Sequence, residues 1–369
     1  MIGTSRLPFN DLARGTSAER SEIDAAIGRV LDRGWYVLGP ENAALEEELA
    51  AEVGVADAVL VASGSDALQL AMQALGAEAG SPILTAANAG GYSSIAARQL
   101  GAVPVYADVD PGSLLLTPET LASACARLDA MPKIAVITHL YGAAADMTRI
   151  MDWAEHAGVL IIEDCAQALG AWHADARVGS FGHAAAVSFY PTKNLGALGD
   201  GGAVLSSDGG VARTVRSLRQ YGWSPKYRVM IDGGRNSRMD EMQAAIVRTR
   251  LSRLDALNER RRDIHRRYEA VLLGHRTRLV NTAGPGFTAH LAVLETDDRD
   301  AAIGHLSAAG IATEIHYPVP DHRQPVAAPE NASLPVTESA SEHVLSIPLF
   351  PELTDAEIEI VTERIGELP

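Results

Sequence analysis

Residues 188–204, SFYPTKNLGALGDGGAV, hold one lysine, Lys193, between an apolar run and a glycine-rich turn. Two kinds of α/β fold place a glycine-rich loop after a strand, and this stretch separates them. Gly196–Gly202 do not spell GxGxxG, and they lead into a further strand, AVLSS, rather than a helix. A dinucleotide fold needs the helix, because its N-terminus seats the pyrophosphate. That fold is set aside, and the lone lysine becomes the feature to explain. With little charge around it, its amine can be desolvated, which lowers its pKa and makes it a nucleophile.

Working outward, AVLVA (58–62), PILT (82–85), VPVY (103–106), IAVIT (134–138), VLII (159–162) and AAAVSF (184–189) read as strands. They are continuous apolar runs rather than alternating ones, as strands covered on both faces are. Helical patterns lie between most of them, which predicts a mainly parallel sheet in an α/β layered domain. Ser21 is the expected N-cap of a helix with Ile23, Ile27, Val30 and Leu31 on one face and Gly34 as its stop. A long helical pattern covers Arg238 to about Leu272, followed by a strand at His290–Leu294, a helix at Arg299–Ala309 and a last helix after Leu353. These predict a large domain over 1–250, including the N-terminal segment, and a smaller C-terminal α/β domain over 251–369.

Two further stretches carry chemistry. In VASGSDALQLAMQALG (61–76) a strand turns at Ser63-Gly64-Ser65 into a helix expected to open at Asp66. Backbone N–H groups at such a start, with two hydroxyls and a glycine, form an anion seat, although a serine there also serves as an ordinary cap. In VLIIEDCAQALGA (159–171), Glu163 and Asp164 close an apolar strand, at the edge where open α/β sheets bind ligands. A phosphate seat, a strand-end Asp and a nucleophilic Lys are together the parts needed to hold pyridoxal phosphate.

The rest of the sequence sets limits. The chain has 369 residues, 47% hydrophobic and 21% charged, with a net charge of -16 that argues against a general nucleic-acid binder. His305, His316 and His322 are scattered, and no Cys/His cluster or HExxH has metal-ligand spacing, so no metal is expected. No run approaches membrane-spanning length, and MIGTSRLPFNDLARG carries no signal pattern. Two cysteines, Cys125 and Cys165, make no disulfide framework, so a cytoplasmic protein without membrane partners is expected.

SGSDAL (63–68), HLYGAAADM (139–147), EDCAQALGA (163–171), SFYPTKNLGALGDGGA (188–203), GRNSRMDEMQAA (234–245), IHYPVP (315–320) and RVLDRGWYVLGPE (29–41) resemble the DegT/DnrJ/EryC1/StrS family, fold-type I pyridoxal-phosphate aminotransferases acting on sugars. The resemblance implies a mainly parallel central sheet with helices on both faces. It implies that Lys193 is the Schiff-base lysine and Asp164 the partner of the pyridinium nitrogen. Gln167 would lie beside the ring oxygen, Gly64, Ser65 and Ser188 at the phosphate. Asn236 would reach the phosphate of a neighbouring subunit, so a homodimer with shared sites is implied. Tyr36, His316 and Tyr317 are candidates for lining the sugar pocket.

Lysine at 193 favours amination over the dehydration that a related branch with histidine performs. The implied activity is ping-pong transfer from L-glutamate to a nucleotide-linked keto-deoxysugar, such as a dTDP-3-keto-6-deoxyhexose aminated at C3 or C4, in deoxyaminosugar biosynthesis. A cyclitol (inosose-type) aminotransferase and a non-catalytic, cofactor-binding regulatory member are the alternatives. One stretch departs from the family. Where relatives have an aromatic residue stacking on the cofactor, AANAGGYSS (86–94) puts Gly90, with Tyr92 two residues on. The stacking residue is therefore open.

Overall fold

The computed structural model describes residues 6–327 and 332–368. The first five residues of the opening stretch lie outside them.

A seven-stranded sheet carries the site. Its strands are β1 (Asp57–Val61), β2 (Pro82–Ala86), β3 (Val103–Ala107), β4 (Ile134–Thr138), β5 (Leu160–Asp164), β8 (Ala184–Ser188) and β9 (Gly202–Ser206), with a short ribbon, β6 (Trp172–His173) and β7 (Ala176–Arg177), between β5 and β8. The spatial order is β1-β9-β8-β5-β4-β2-β3. Only β9 runs against the others, pairing antiparallel with both β1 and β8.

The continuous apolar runs conceal an alternation of period two. Ala58 and Leu60 of β1, with Ala185 and Val187 of β8, enter one core cluster. Val59 and Val61, with Ala184 and Ala186, enter the cluster on the opposite face. Both faces are apolar because helices cover both. Gly64–Ala74, Tyr92–Gln99 and Gly209–Leu218 lie on one face, and Pro40–Val53 and Glu241–Leu251 on the other.

After the large sheet, β10 (Arg278–Leu279), β11 (Ala292–Glu295) and β12 (Val344–Ile347) form a three-stranded antiparallel sheet. Its residues Val293 and Leu345 share a hydrophobic cluster with Leu84 and Ile137 of the large sheet.

Three local expectations change. The pattern over Arg238–Leu272 is two helices, Glu241–Leu251 and Leu254–Val271. The break lets the first pack Ala244 and Val247 under the large sheet while the second delivers Ile264 and Tyr268 to the C-terminal cluster. Ser21 is not a cap. The helix Leu12–Ala18 runs almost directly into Arg20–Arg33, so Ser21 falls in the first turn and donates to Glu22 instead. The helix after β1 opens at Gly64, not Asp66, with Ser63 as its cap. Gly34 does end its helix, in the left-handed conformation. Cys125 and Cys165 are free and buried. No helix among the described residues is long and apolar enough to cross a membrane.

Candidate active site

The carboxyl ends of β4, β5 and β8 and the start of β9 meet at one edge of the sheet, over a cavity of about 960 Å³. Gly64, Ser65, Asp164, Gln167, Ser188, Lys193, His316 and Tyr317 all line it.

The residues expected at the phosphate are brought together by close approach of backbone to backbone. A Cβ on Gly64 would lie 2.6 Å from Ser188 Cβ, and one on Gly202 would lie 2.4 Å from the Ser63 carbonyl oxygen. Only glycine at both places lets the helix start wedge against the ends of β8 and β9. The Ser63 hydroxyl accepts from Asp66 N at 3.2 Å, so Ser63 takes the capping role and exposed Ser65 is left to face the cavity. Ser237 braces this start from outside, donating to the Asp66 carboxylate at 2.7 Å and accepting from Ala62 N at 3.1 Å.

Asp164 ends β5 with its side chain almost wholly buried. One oxygen accepts from Ala166 N at 3.1 Å and the other, distantly, from the Thr138 hydroxyl at 3.4 Å. Burial raises its pKa, opposed by the Ala166 N–H and by the charge of Lys193. Burial likewise lowers the pKa of Lys193, opposed by Asp164. Among the described residues Lys193 makes no ion pair within 4.0 Å. A buried carboxylate with one good donor and a half-buried amine with no partner face one cavity, and each is costly as it stands. A cationic ring N–H for Asp164 and an aldehyde carbon for Lys193 remove both costs. On the chemistry of these donors the site fits pyridoxal phosphate.

Gln167 is committed on two sides. Its oxygen accepts from Tyr141 N at 2.6 Å and its amide nitrogen donates to the Tyr317 hydroxyl at 3.1 Å, leaving one amide hydrogen. Tyr317 also answers for Gly90. Gly90 has φ +75°, and a Cβ there would come within 2.8 Å of the Tyr317 ring. The aromatic ring over this position therefore comes from residue 317. Tyr92 lines the cavity and meets Tyr317 edge-on at 6.4 Å. His316 bonds through Nδ1 to the Ser346 hydroxyl at 2.9 Å, and burial brings its pKa down to about 4.

Two expected residues are not brought into the cavity of the single chain. Asn236 is exposed and forms a bridge with Gln220, beside Arg235, which bonds to Gln73 at 2.7 Å on the helix after β1. Tyr36 is exposed, and its carbonyl accepts from Glu241 N at 3.0 Å.

Sequence reasoning missed Arg6, Phe9 and Asn10, which line the cavity from the N-terminal segment, and Asn194 and His290 near Lys193. His290 lies in the apolar run TAHLAVL and looks there like an ordinary core histidine. Asn194 was in plain view, adjoining Lys193.

Against known proteins, residues 17–366 match the family described as DegT/DnrJ/EryC1/StrS aminotransferase family. The Saccharopolyspora erythraea protein named erythromycin biosynthesis sensory transduction protein EryC1 is 41% identical over 355 residues, 94% of this chain and 95% of that one. A dTDP-3-amino-3,4,6-trideoxy-alpha-D-glucose transaminase of Streptomyces venezuelae is 40% identical over 369 residues, 99% of this chain and 96% of that one. The crystal structure of S. venezuelae DesV in complex with a ketimine intermediate superposes with a TM-score of 0.94 at 41% identity, covering 99% of this chain and 98% of that one.

Proposed function

The chain belongs to the DegT/DnrJ/EryC1/StrS aminotransferase family, and from that premise we propose that it moves an amino group from L-glutamate to a nucleotide-linked keto-deoxysugar. The acceptor class we infer is a dTDP-3-keto-6-deoxyhexose, aminated at C3 or C4. The observation that carries this reading is the pair of buried Asp164 and half-buried Lys193, without a mutual ion pair and facing one cavity of about 960 Å³ at the strand ends.

Pyridoxal phosphate, which the family implies, supplies when bound an electron-accepting ring that carries the amino group between donor and acceptor. Lys193 would hold its aldehyde carbon, Asp164 its ring nitrogen, Gln167 its ring oxygen, and Gly64, Ser65 and Ser188 its phosphate. Lys193 then has a second task. With its amine free, Nζ would take the proton from the substrate Cα and later return one, a base and acid in turn. Burial lowers its pKa, so that more of the amine is free to take a proton and the proton taken is more easily returned. Asp164 keeps a negative charge fixed where positive charge must persist. Tyr317, His316 and Phe9 form part of the cavity wall.

In this reading residues 1–250 form the cofactor-binding part and 251–369 the part that closes over it. Asn236 and Tyr36, exposed in the single chain with Trp35 and Tyr221, would meet a second copy in a homodimer with shared sites. Two free, buried cysteines fit a reducing cytoplasm. The relative named for sensory transduction is the observation favouring a regulatory role; the partnerless amine of Lys193 favours catalysis.

The test is spectroscopic. Borohydride treatment of the cofactor-loaded protein should place the cofactor on the peptide holding Lys193, and L-glutamate should convert the aldehyde band to the shorter-wavelength amine band. Lys193→Ala should abolish turnover. Wild-type turnover in that variant overturns the assignment. Retained activity on a ketone without a nucleotide would select the cyclitol reading.

A further inference from the structure

Residues Phe287 to Leu291 thread between three loops at the carboxyl edge of the sheet. Thr288 N donates to the Gly142 carbonyl at 2.9 Å, and the Thr288 hydroxyl donates to the Gln167 carbonyl at 2.9 Å. The Thr288 carbonyl accepts from Asn194 Nδ2 at 3.1 Å. One segment thus touches the loops that follow β4, β5 and β8. The last of these holds Lys193, immediately before Asn194.

The amide of Asn194 has a determined orientation. Its nitrogen also donates to Asn258 Oδ1 at 2.7 Å, so both amide hydrogens go to oxygen atoms. Asn258 is fully buried and held in turn through its own amide nitrogen, which donates to the Leu169 carbonyl at 3.1 Å. The amide oxygen of Asn194 is left facing His290 Nδ1 at 2.8 Å. A nitrogen bonded to that acceptor must carry the hydrogen, so the His290 tautomer is fixed with Nδ1–H and a lone pair on Nε2. Nε2 has no protein partner among the described residues, and His290 lines the same cavity as Lys193. Burial first, then the charges of Lys193 and Arg261, push its pKa well below the ordinary histidine value.

This arrangement answers a mechanical need. Lys193 sits in a tight turn, its N–H donating to the Tyr190 carbonyl at 2.8 Å, and carries its amine on a flexible four-carbon stem. A misplacement of about 1 Å in a reacting group costs on the order of 100-fold in rate. An arginine or lysine could hold the Asn194 oxygen equally well, but would bring a second positive charge into the wall of the cavity at a desolvation cost. A neutral imidazole holds the oxygen without that charge.

We propose that His290 is a positioning residue for Lys193, acting through the Asn194 amide rather than through its own cavity-facing nitrogen. The inference rests on the reading of Lys193 as the cofactor-bearing lysine.

Three variants of the full chain separate the two nitrogens. In His290→Asn the amide nitrogen stands where Nδ1 does; in His290→Gln it stands where Nε2 does; His290→Leu has neither. The first readout is the rate at which cofactor-stripped protein regains covalently held pyridoxal phosphate, followed by absorbance and by borohydride trapping on Lys193. The second is kcat and KM for the L-glutamate half-reaction, and thermal unfolding reports which variants fold. His290→Leu and His290→Gln should both slow attachment on the order of 100-fold and lower kcat with KM within about threefold, while His290→Asn restores both. Restoration by Gln and not by Asn overturns the proposal, as do wild-type rates in all three. If the Leu variant does not fold, the Asn and Gln pair decides. Combining His290→Leu with Asn194→Ala should be no slower than the slower single change, because both break one path; multiplied losses overturn it. Attachment rates decide the matter even if no tested sugar is aminated.

Discussion

Glu163 and Asp164 are neighbours at the end of β5, both carboxylic acids and both buried, and the structure uses them in opposite ways. Strand alternation sends them to opposite faces. Glu163 accepts from Gly179 N at 2.8 Å, Phe181 N at 2.8 Å, Gly182 N at 2.7 Å and His139 Nε2 at 3.1 Å. His139 Nδ1 in turn accepts from Ala145 N at 3.1 Å, which leaves the hydrogen on Nε2. His139, Glu163 and Cys165 place ligand-type atoms within 4.8 Å of one another, a spacing that could hold a metal ion. Here the imidazole and the carboxylate are spent on protein N–H groups, and burial keeps the Cys165 thiol protonated by pushing its pKa well up. That face is a structural knot. Asp164 has one good donor and looks into the cavity. A saturated carboxylate belongs to the fold; an under-supplied one facing open space is available for chemistry.

The contrast should show first in opposed phenotypes. Asp164→Asn should lower kcat by about 1,000-fold, the scale of losing a fixed charge at a reacting centre, while the urea midpoint holds or rises. Glu163→Gln should do the reverse: an amide group presented to inward-pointing N–H donors costs about 3 kcal/mol of folding stability, with kcat of the folded fraction near wild type. If urea unfolding and half-reaction kinetics gave both variants the same profile, the division between the two faces would be wrong.

Much of this division could not be read from the sequence. The strand-end position of ED, the lysine after β8 and the glycine-rich approach to β9 were legible, because strands, turns and glycines leave local patterns. The donors to Glu163 come from 16 to 24 residues away, and the three backbone N–H groups among them depend on how the β6–β7 ribbon folds back. Nothing local marks Glu163 as satisfied and Asp164 as not. The Asn194–His290 contact spans 96 residues and is equally hidden. Gly90 was visible as a departure, but the ring that fills its space arrives from residue 317.

A third buried carboxylate sharpens the donor count. Asp321 accepts from the Ser94 hydroxyl at 3.2 Å through one oxygen and has no partner for the other. Burial raises its pKa from 3.8 to about 7. Because the folded state holds the proton more tightly than the unfolded chain, its contribution is fully present below about pH 3.8 and is lost as pH rises through about 7. Asp321→Asn should therefore match wild type near pH 4 and exceed it by at most about 4 kcal/mol near pH 8. Urea titrations at several pH values measure this difference. A flat difference across the range would mean that Asp321 is ionised and satisfied.

The smallest effects concern Tyr317, where ring and hydroxyl can be separated. Gly90→Ala adds a methyl within 2.8 Å of the ring on a backbone with φ +75°. It should weaken cofactor retention by pushing Tyr317 aside, and should cost less when Tyr317 is already Ala, since the steric conflict is then gone. Tyr317→Phe keeps the ring over Gly90 and removes only the oxygen that accepts from Gln167 at 3.1 Å. Gln167 stays anchored by Tyr141 N at 2.6 Å, and its freed amide hydrogen faces a cavity that admits water. The loss should be about 1 kcal/mol, roughly fivefold in cofactor affinity, measured by equilibrium dialysis of the cofactor. A loss near that of Gly90→Ala would show that the hydroxyl, and through it Gln167, holds this wall in place, and that the ring is only its filling.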